Sequence, residues 1–215
     1  MRTIHGYTQL LQKKLGEGID EEEKEYMKFI LSATGNMRHL IRDLRSYSQV
    51  DSTKLNLSKF CLNRMQQEIT SELRSSIEDS NAKIYHPENL PCVIADRIKI
   101  KQLFQNLLAN ALKYIPEDRS PEIHISFEDC PDHWYVEVKD NGIGIAEVNQ
   151  KKIFELFHRL HANSKYLGTG IGLSLCKKVV EQHQGKIGVK SILGEGSTFY
   201  LTIPKNIKTI DEFMN

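Results

Sequence analysis

The chain has 215 residues, 40% of them hydrophobic and 27% charged, with a formal net charge of +1. Such a length allows one large or two small domains, and such a composition is that of a globular protein. A charge this close to balance gives no reason to expect nucleic acid or an anionic membrane as partner, and no run approaches the roughly 18 apolar residues of a spanning helix. The N-terminus is polar and already helical in pattern, so no signal peptide is expected. Cys61, Cys92, Cys130 and Cys176 are far apart with no CxxC, which predicts free thiols in a reducing compartment rather than zinc ligands or a disulfide framework.

From Met1 to about Val50 the pattern predicts two helices. Ile4, Tyr7, Leu11 and Leu15 lie on one stripe, and Gly16 and Gly18 stop it. Asp20 is placed to cap the second helix, with Glu21, Glu22 and Glu23 complementing its dipole. Tyr26, Ile30, Ala33, Met37, Leu40, Leu44 and Tyr47 then alternate spacings of four and three. That is a coiled-coil-like seam, which a two-helix hairpin buries most simply by pairing with a second copy in a four-helix bundle.

The pattern lapses over Asp51–Leu57, which predicts a linker. A helix over Arg64–Ser80 follows, with Met65, Ile69, Leu73 and Ile77 four apart, then short strands at Lys83–Tyr85 and Val93–Ala95. Arg97–Lys113 reads as a leucine-rich helix, and Glu122–Glu128 with His133–Lys139 as an antiparallel pair. A short helix is expected over Lys151–Leu160 and a polar lid over His161–Leu167. A helix from Ser174 to His183 and strands at Gly185–Lys190 and Ser197–Ile203 complete the chain, with a loose tail after Pro204.

Two glycine runs organise this series. DNGIGI (Asp140–Ile145) ends a strand on a carboxylate; GTGIGL (Gly168–Leu173) feeds a helix N-terminus, where free N–H groups and the dipole favour phosphate. Neither run is a P-loop or a dinucleotide fingerprint: no Gly-Lys-Ser/Thr occurs, and the third glycine position is Glu147 in one and Leu173 in the other. Asn106 and Asn110 share one face of the Arg97–Lys113 helix, with Lys113 a turn on. Asparagine is a mediocre helix former, so the pair suggests either a hydrogen-bonded cap or an amide oxygen for Mg²⁺ beside a lysine for phosphate.

These motifs together resemble the ATP-binding domain of sensor histidine kinases. QNLLANALKY is similar to that family's asparagine box, DNGIGI and GTGIGL to its two glycine boxes, FELFHRL to its phenylalanine box and GEGSTF to its glycine-threonine motif. The first region resembles the dimerisation and histidine-phosphotransfer hairpin of kinases with phytochrome-like or PAS-type sensors. The resemblance implies an α+β chain: a helical hairpin (1–50), a linker (51–57), an α/β-sandwich ATP-binding domain of the histidine-kinase and chaperone type with a mixed sheet covered by helices (58–204), and a tail (205–215). It implies Mg²⁺ on Asn110, with Asn106 beside it. Asp140 would accept from the adenine amino group, aided by Thr198, with Gly142 and Gly144 at the base. Lys113, Arg159 and Lys165 would face the phosphates, and Tyr114 the nucleotide's edge. Gly168, Gly170 and Gly172 would let a lid close, with Ile145, Phe157, Thr169, Ile171 and Leu173 completing the ATP-binding set.

The resemblance further implies a histidine kinase that transfers the ATP γ-phosphoryl to a histidine and then to an aspartate of a response-regulator receiver domain. The expected partners are a second copy, the receiver and an upstream sensor domain, with no nucleic acid, in the cytoplasm. The intact protein's membrane attachment stays open. In this family the acceptor histidine precedes a stretch like MRTIHGYTQLL, so it would lie before Met1; His5 and His39 do not fit its motif. The fragment is therefore expected to bind ATP without phosphorylating itself. The alternative is a nucleotide-binding dimeric regulator or a phosphatase-type module. Relatives that hydrolyse ATP carry a carboxylate just before the asparagine, where Leu108 and Ala109 stand here.

Overall fold

The computed structural model of the chain describes residues 6–8, 10, 11, 20–160 and 168–207. Most of the expected first helix, with Gly16 and Gly18, lies outside them, although residues 6–8, 10 and 11 are helical. So do the expected lid at 161–167 and the end of the tail.

Helix α1 spans Glu21–Ser52 and starts as expected. Glu23 N donates to Asp20 Oδ1 at 2.8 Å while Asp20 N donates to Glu23 Oε2 at 3.1 Å, a reciprocal capping box that satisfies two orphan donors. The chain then runs through β1 (Leu57–Cys61), α2 (Leu62–Glu72), α3 (Arg74–Asp79), β2 (Lys83–Tyr85), β3 (Cys92–Asp96) and α4 (Arg97–Lys113). It continues with β4 (Glu122–Asp129), β5 (His133–Asp140), α5 (Gly172–Gln182), β6 (Ile187–Ile192) and β7 (Gly196–Pro204). Five strands form a mixed sheet in the order β2-β4-β5-β7-β6, parallel only between β2 and β4.

Alternation along the strands gives the sheet two faces. Ile123, Ile125, Val136, Val138, Phe199, Leu201 and Ile203 are buried against α2, α4 and α5, which supply Met65, Ile69, Leu103, Leu107, Leu175 and Val179 to the same core. The opposite face carries residues such as Glu137, Lys139 and the Tyr135–Tyr200 ring pair. This is the expected α/β sandwich, a mixed sheet covered by helices, preceded by a long helix.

Four expectations need correction. The Arg64–Ser80 helix is broken at Leu73 (φ −93°, ψ 6°) into α2 and α3. A strand at Leu57–Cys61 begins where the linker was expected to end and pairs antiparallel with β3. Lys151–Leu160 holds only a 3₁₀ turn at Lys152–Phe154, because the Phe157 N–H bonds to the Gly170 carbonyl (3.1 Å) instead of continuing a helix. Cys61 and Cys92 face each other across β1 and β3 and are joined as a disulfide, so of the four cysteines only Cys130 and Cys176 are free.

α1 packs against α5. Lys178 Nζ donates to the Tyr47 carbonyl at 3.2 Å and lies 3.8 Å over the Tyr47 ring. Gln182 Nε2 donates to the Val50 and Thr53 carbonyls at 2.8 and 3.0 Å. The buried Lys99 ammonium reaches the same two carbonyls and Gln182 Oε1, the last at 2.7 Å. Lys99 and Gln182 thus collect the free Val50 and Thr53 carbonyls at the helix C-terminus, where positive charge is favoured.

Candidate functional site

A cavity of about 340 Å³ opens between α4, the end of β5, the start of β7, the approach to α5 and the flank of α1. That size lies within the range of small-ligand sites. α4 presents its polar face to it. Asp96 caps this helix by accepting from the Ile98 and Lys99 amides. Leu103, Leu107, Leu108 and Ala111 turn into the core, and the spacing leaves Asn106, Asn110 and Lys113 on the cavity side. Lys113 Nζ lies over the Tyr114 ring (4.4 Å) and donates to its hydroxyl at 3.0 Å.

The end of β5 places Asp140 in the same cavity. Its side chain is buried, and Oδ1 accepts from Gly142 N at 2.9 Å and Ser197 N at 3.2 Å. Burial pushes its pKa up to about 6, against the two amide bonds, which favour the carboxylate. Both bonds use one oxygen, leaving the other to accept from a ligand amine. Only glycine fits at 142, where a Cβ would collide with the Tyr114 carbonyl oxygen. Ile143, Gly144, Ile145, Ile153, Leu160, Leu173 and Phe199 give the cavity apolar walls suited to a flat ring.

Gly168, Thr169, Gly170 and Gly172 line the far side. A Cβ at Gly168 would stand 2.6 Å from Lys113 Nζ, so this run and the α4 lysine are neighbours. Gly170 adopts φ +73° against the Phe157–His158 backbone, a conformation that favours glycine. The run leads into α5, whose first-turn amides have no intrahelical acceptor. Arg159 adds a cation to the lining.

The structure therefore brings together thirteen expected residues: Asn106, Asn110, Lys113, Tyr114, Asp140, Gly144, Ile145, Arg159, Gly168, Thr169, Gly170, Gly172 and Leu173. Gly142 stands just behind Asp140. Three others do not line the cavity. Ile171 is wholly buried in the core, and Phe157 is 54% exposed on a backbone at φ +62°. Thr198 pairs with Lys139 on the open face of the sheet, while period-two alternation turns Ser197 and Phe199 inward. Asp140 itself is held by the Ser197 amide. Lys165 lies outside the described residues.

His39, Arg42 and Asp43 of α1, and His158, also line the cavity and were missed. Thr169 Oγ1 donates to Asp43 Oδ2 at 2.6 Å, tying the second glycine run to the helix. Asn106 Nδ2 and His158 Nε2 are buried without a partner among the described residues. Buried polar atoms left unpaired are costly; Asn106 also lies against the buried Cys176 thiol, so it is His158 that calls for a polar ligand. The donor set fits Mg²⁺ held by an amide oxygen and by a ligand's own phosphates: Asn110 lines the cavity, and among the described residues no cluster of three carboxylate, imidazole or thiol groups offers an all-protein metal site.

Comparison with known proteins agrees with this geometry. The profile of the histidine kinase-, DNA gyrase B- and HSP90-like ATPases matches residues 95–207. The chain is 40% identical to cyanobacterial phytochrome A of Nostoc sp. over 204 residues, 95% of this chain and 26% of that protein. The nucleotide-free catalytic domain of the histidine kinase ThkA superposes with a TM-score of 0.60 at 31% identity, covering 70% of this chain and 96% of that one. ThkA in complex with the response regulator TrrA gives 0.68 at 27% identity, covering 95% of this chain and 57% of that one. The chain spans about a quarter of the length of the first curated relatives it matches.

Proposed function

We propose, because this chain belongs to the histidine kinase-, DNA gyrase B- and HSP90-like ATPase family and is the ATP-binding catalytic core of a sensor histidine kinase, that its cavity takes Mg-ATP and passes the γ-phosphoryl to a histidine. The phosphoryl then moves to an aspartate of a response-regulator receiver domain. The observation that carries this reading is the polarity of the cavity. A buried carboxyl suited to an exocyclic amine stands on an apolar wall, and cations, amides and a glycine run line the rest.

In this reading Asp140 accepts from the adenine amino group, and Ser197 holds Asp140 through its amide. Ile145 and Phe199 pack on the ring. Lys113 and Arg159 neutralise phosphate charge, and the amides at the start of α5 receive phosphate oxygens. Asn110 would hold Mg²⁺, which when bound draws charge from the phosphates. As the Pγ–O bond to ADP breaks, an N–P bond forms to an imidazole nitrogen, whose proton leaves to a base. The protein's contribution is positioning and charge stabilisation, as is usual for phosphoryl transfer. The division into a helical region (1–50), linker (51–57), ATP-binding domain (58–204) and tail (205–215), the cytoplasmic location, pairing of two copies through α1 and an upstream sensor domain belong to the same proposal.

The test is γ-labelled ATP with Mg²⁺ added to this chain, with and without a separate helical domain bearing an acceptor histidine. Acid-labile label on that domain, absent with Asp140→Asn, is the expected result. Nucleotide binding with no label anywhere would replace the kinase by a nucleotide-binding regulator or a phosphatase-type module.

A further inference from the structure

The contact between α1 and the second glycine run has no part in the chemistry above. Asp43 is half-buried and lines the cavity beside Arg42, and its carboxylate accepts from Thr169 Oγ1 at 2.6 Å across a separation of 126 residues. The same hydroxyl accepts from Ile171 N at 3.3 Å, so it links the helix carboxylate to the backbone just before α5. An anion is therefore already seated where a glycine run meets a helix N-terminus, the place in the cavity best suited to phosphate oxygens.

We propose that Asp43 is an internal anion that competes with nucleotide phosphate for the second glycine run, so that docking of α1 and phosphate binding oppose each other. The proposal rests on reading the cavity as a nucleotide site. Like charges brought together beside Thr169 repel, and a phosphate that takes the hydroxyl displaces the carboxylate. The linkage is reciprocal: a docked α1 weakens phosphate binding, and bound phosphate weakens docking. The Tyr47–Lys178 and Val50–Gln182 contacts hold α1 to α5 without Asp43, so changing Asp43 alone removes the competing anion and leaves the helix in place.

The experiment is calorimetric titration of the full chain, Asp43→Ala and Asp43→Asn with adenosine, ADP and ATP in Mg²⁺. Alanine is the best helix former, so α1 keeps its fold, and circular dichroism verifies it. Asp43→Ala is expected to tighten ATP roughly tenfold, about the weight of one charge-assisted hydrogen bond. Adenosine, which carries no phosphate, should change by less than about twofold on the same reasoning. Asp43→Asn, a neutral acceptor, should fall between. ATP binding that is unchanged or weakened in Asp43→Ala while adenosine still binds overturns the competition and leaves the nucleotide site standing. Failure of every nucleotide and of adenosine to bind any of the three proteins overturns the nucleotide reading, and the competition with it.

Discussion

A carboxylic acid buried at the end of β5 titrates where few carboxylates do. Burial raises Asp140 to about 6, so its ionised fraction falls about tenfold between pH 7 and pH 5. A nucleotide amine bonds best to the ionised form, so ADP affinity should drop roughly tenfold over that range. Asp140→Asn should weaken ADP roughly 10- to 100-fold at pH 7.5, the worth of a hydrogen bond to a charged group, and flatten the pH profile. Titration calorimetry at three pH values checks both, and a variant that keeps the wild-type profile refutes the assignment. Stability moves the other way. A raised folded pKa contributes stability that is fully present below 3.8 and lost as pH rises through about 6. Asp140→Asn should therefore melt higher than wild type at pH 7.5. Asp140, Asn110 and Lys113 were legible because each sits in a motif whose chemistry fixes its residue type. Ser197 was not: it reaches Asp140 through its backbone amide, and only the register of β7 against β5 brings that amide to the carboxylate.

At the scale of elements, α5 is locked to β3 and α4 by one imidazole. His183 is 1% exposed; its Nε2 accepts from Asp96 N at 3.0 Å and its Nδ1 donates to the Val179 carbonyl at 2.7 Å. This geometry needs the neutral ring, and burial lowers its pKa from 6.5. A depressed histidine contributes stability that is present above 6.5 and lost as pH falls through the folded value. Protonation of His183 should therefore lower the urea midpoint between pH 7.5 and pH 5.5, against the opposite contribution of Asp140 over the same window. In His183→Leu this part of the decline should vanish, at a cost of about 1–3 kcal/mol at pH 7.5 for the unpaired Asp96 amide. An unaltered pH dependence in the variant would remove His183 from the account. Most elements were legible from period and caps: Asp20 before α1, the leucine spacing of α4, the alternation of β4 and β5. The expected helix over Lys151–Leu160 was not, because its apolar spacing is helical while its backbone bonds to Gly170, a partner the local sequence does not reveal. Strand β1 escaped for a similar reason: its residues are only half-buried or exposed, and it gains its ladder from β3, across a long sequence separation.

At the scale of the whole molecule, α1 serves two surfaces. One was hidden from the sequence, since Asp43, Tyr47 and Val50 meet residues 126 to 132 positions away and leave no periodic trace. The other is the seam that the periodicity announced. Tyr26, Ile30, Met37 and Leu44 are exposed in the single chain at 55%, 45%, 44% and 46%, with Phe29 and Ile41 also exposed on the helix. Apolar side chains repeating at spacings of four and three on one helix suit a self-complementary partner, and a two-fold axis counts every such contact twice. Burying an Ile or Met is worth about 1.5–3 kcal/mol each, so two copies each of Ile30 and Met37 can decide the assembly. The chain should therefore scatter light as a dimer, at twice its 24.8 kDa. Ile30→Glu with Met37→Glu places like charges on both sides of the seam and should give a monomer at micromolar concentration. Its adenosine affinity should match wild type, since neither residue lines the cavity. A wild-type chain that runs as a monomer would leave this stripe to a different partner helix. A double variant that stays dimeric would move the interface away from α1.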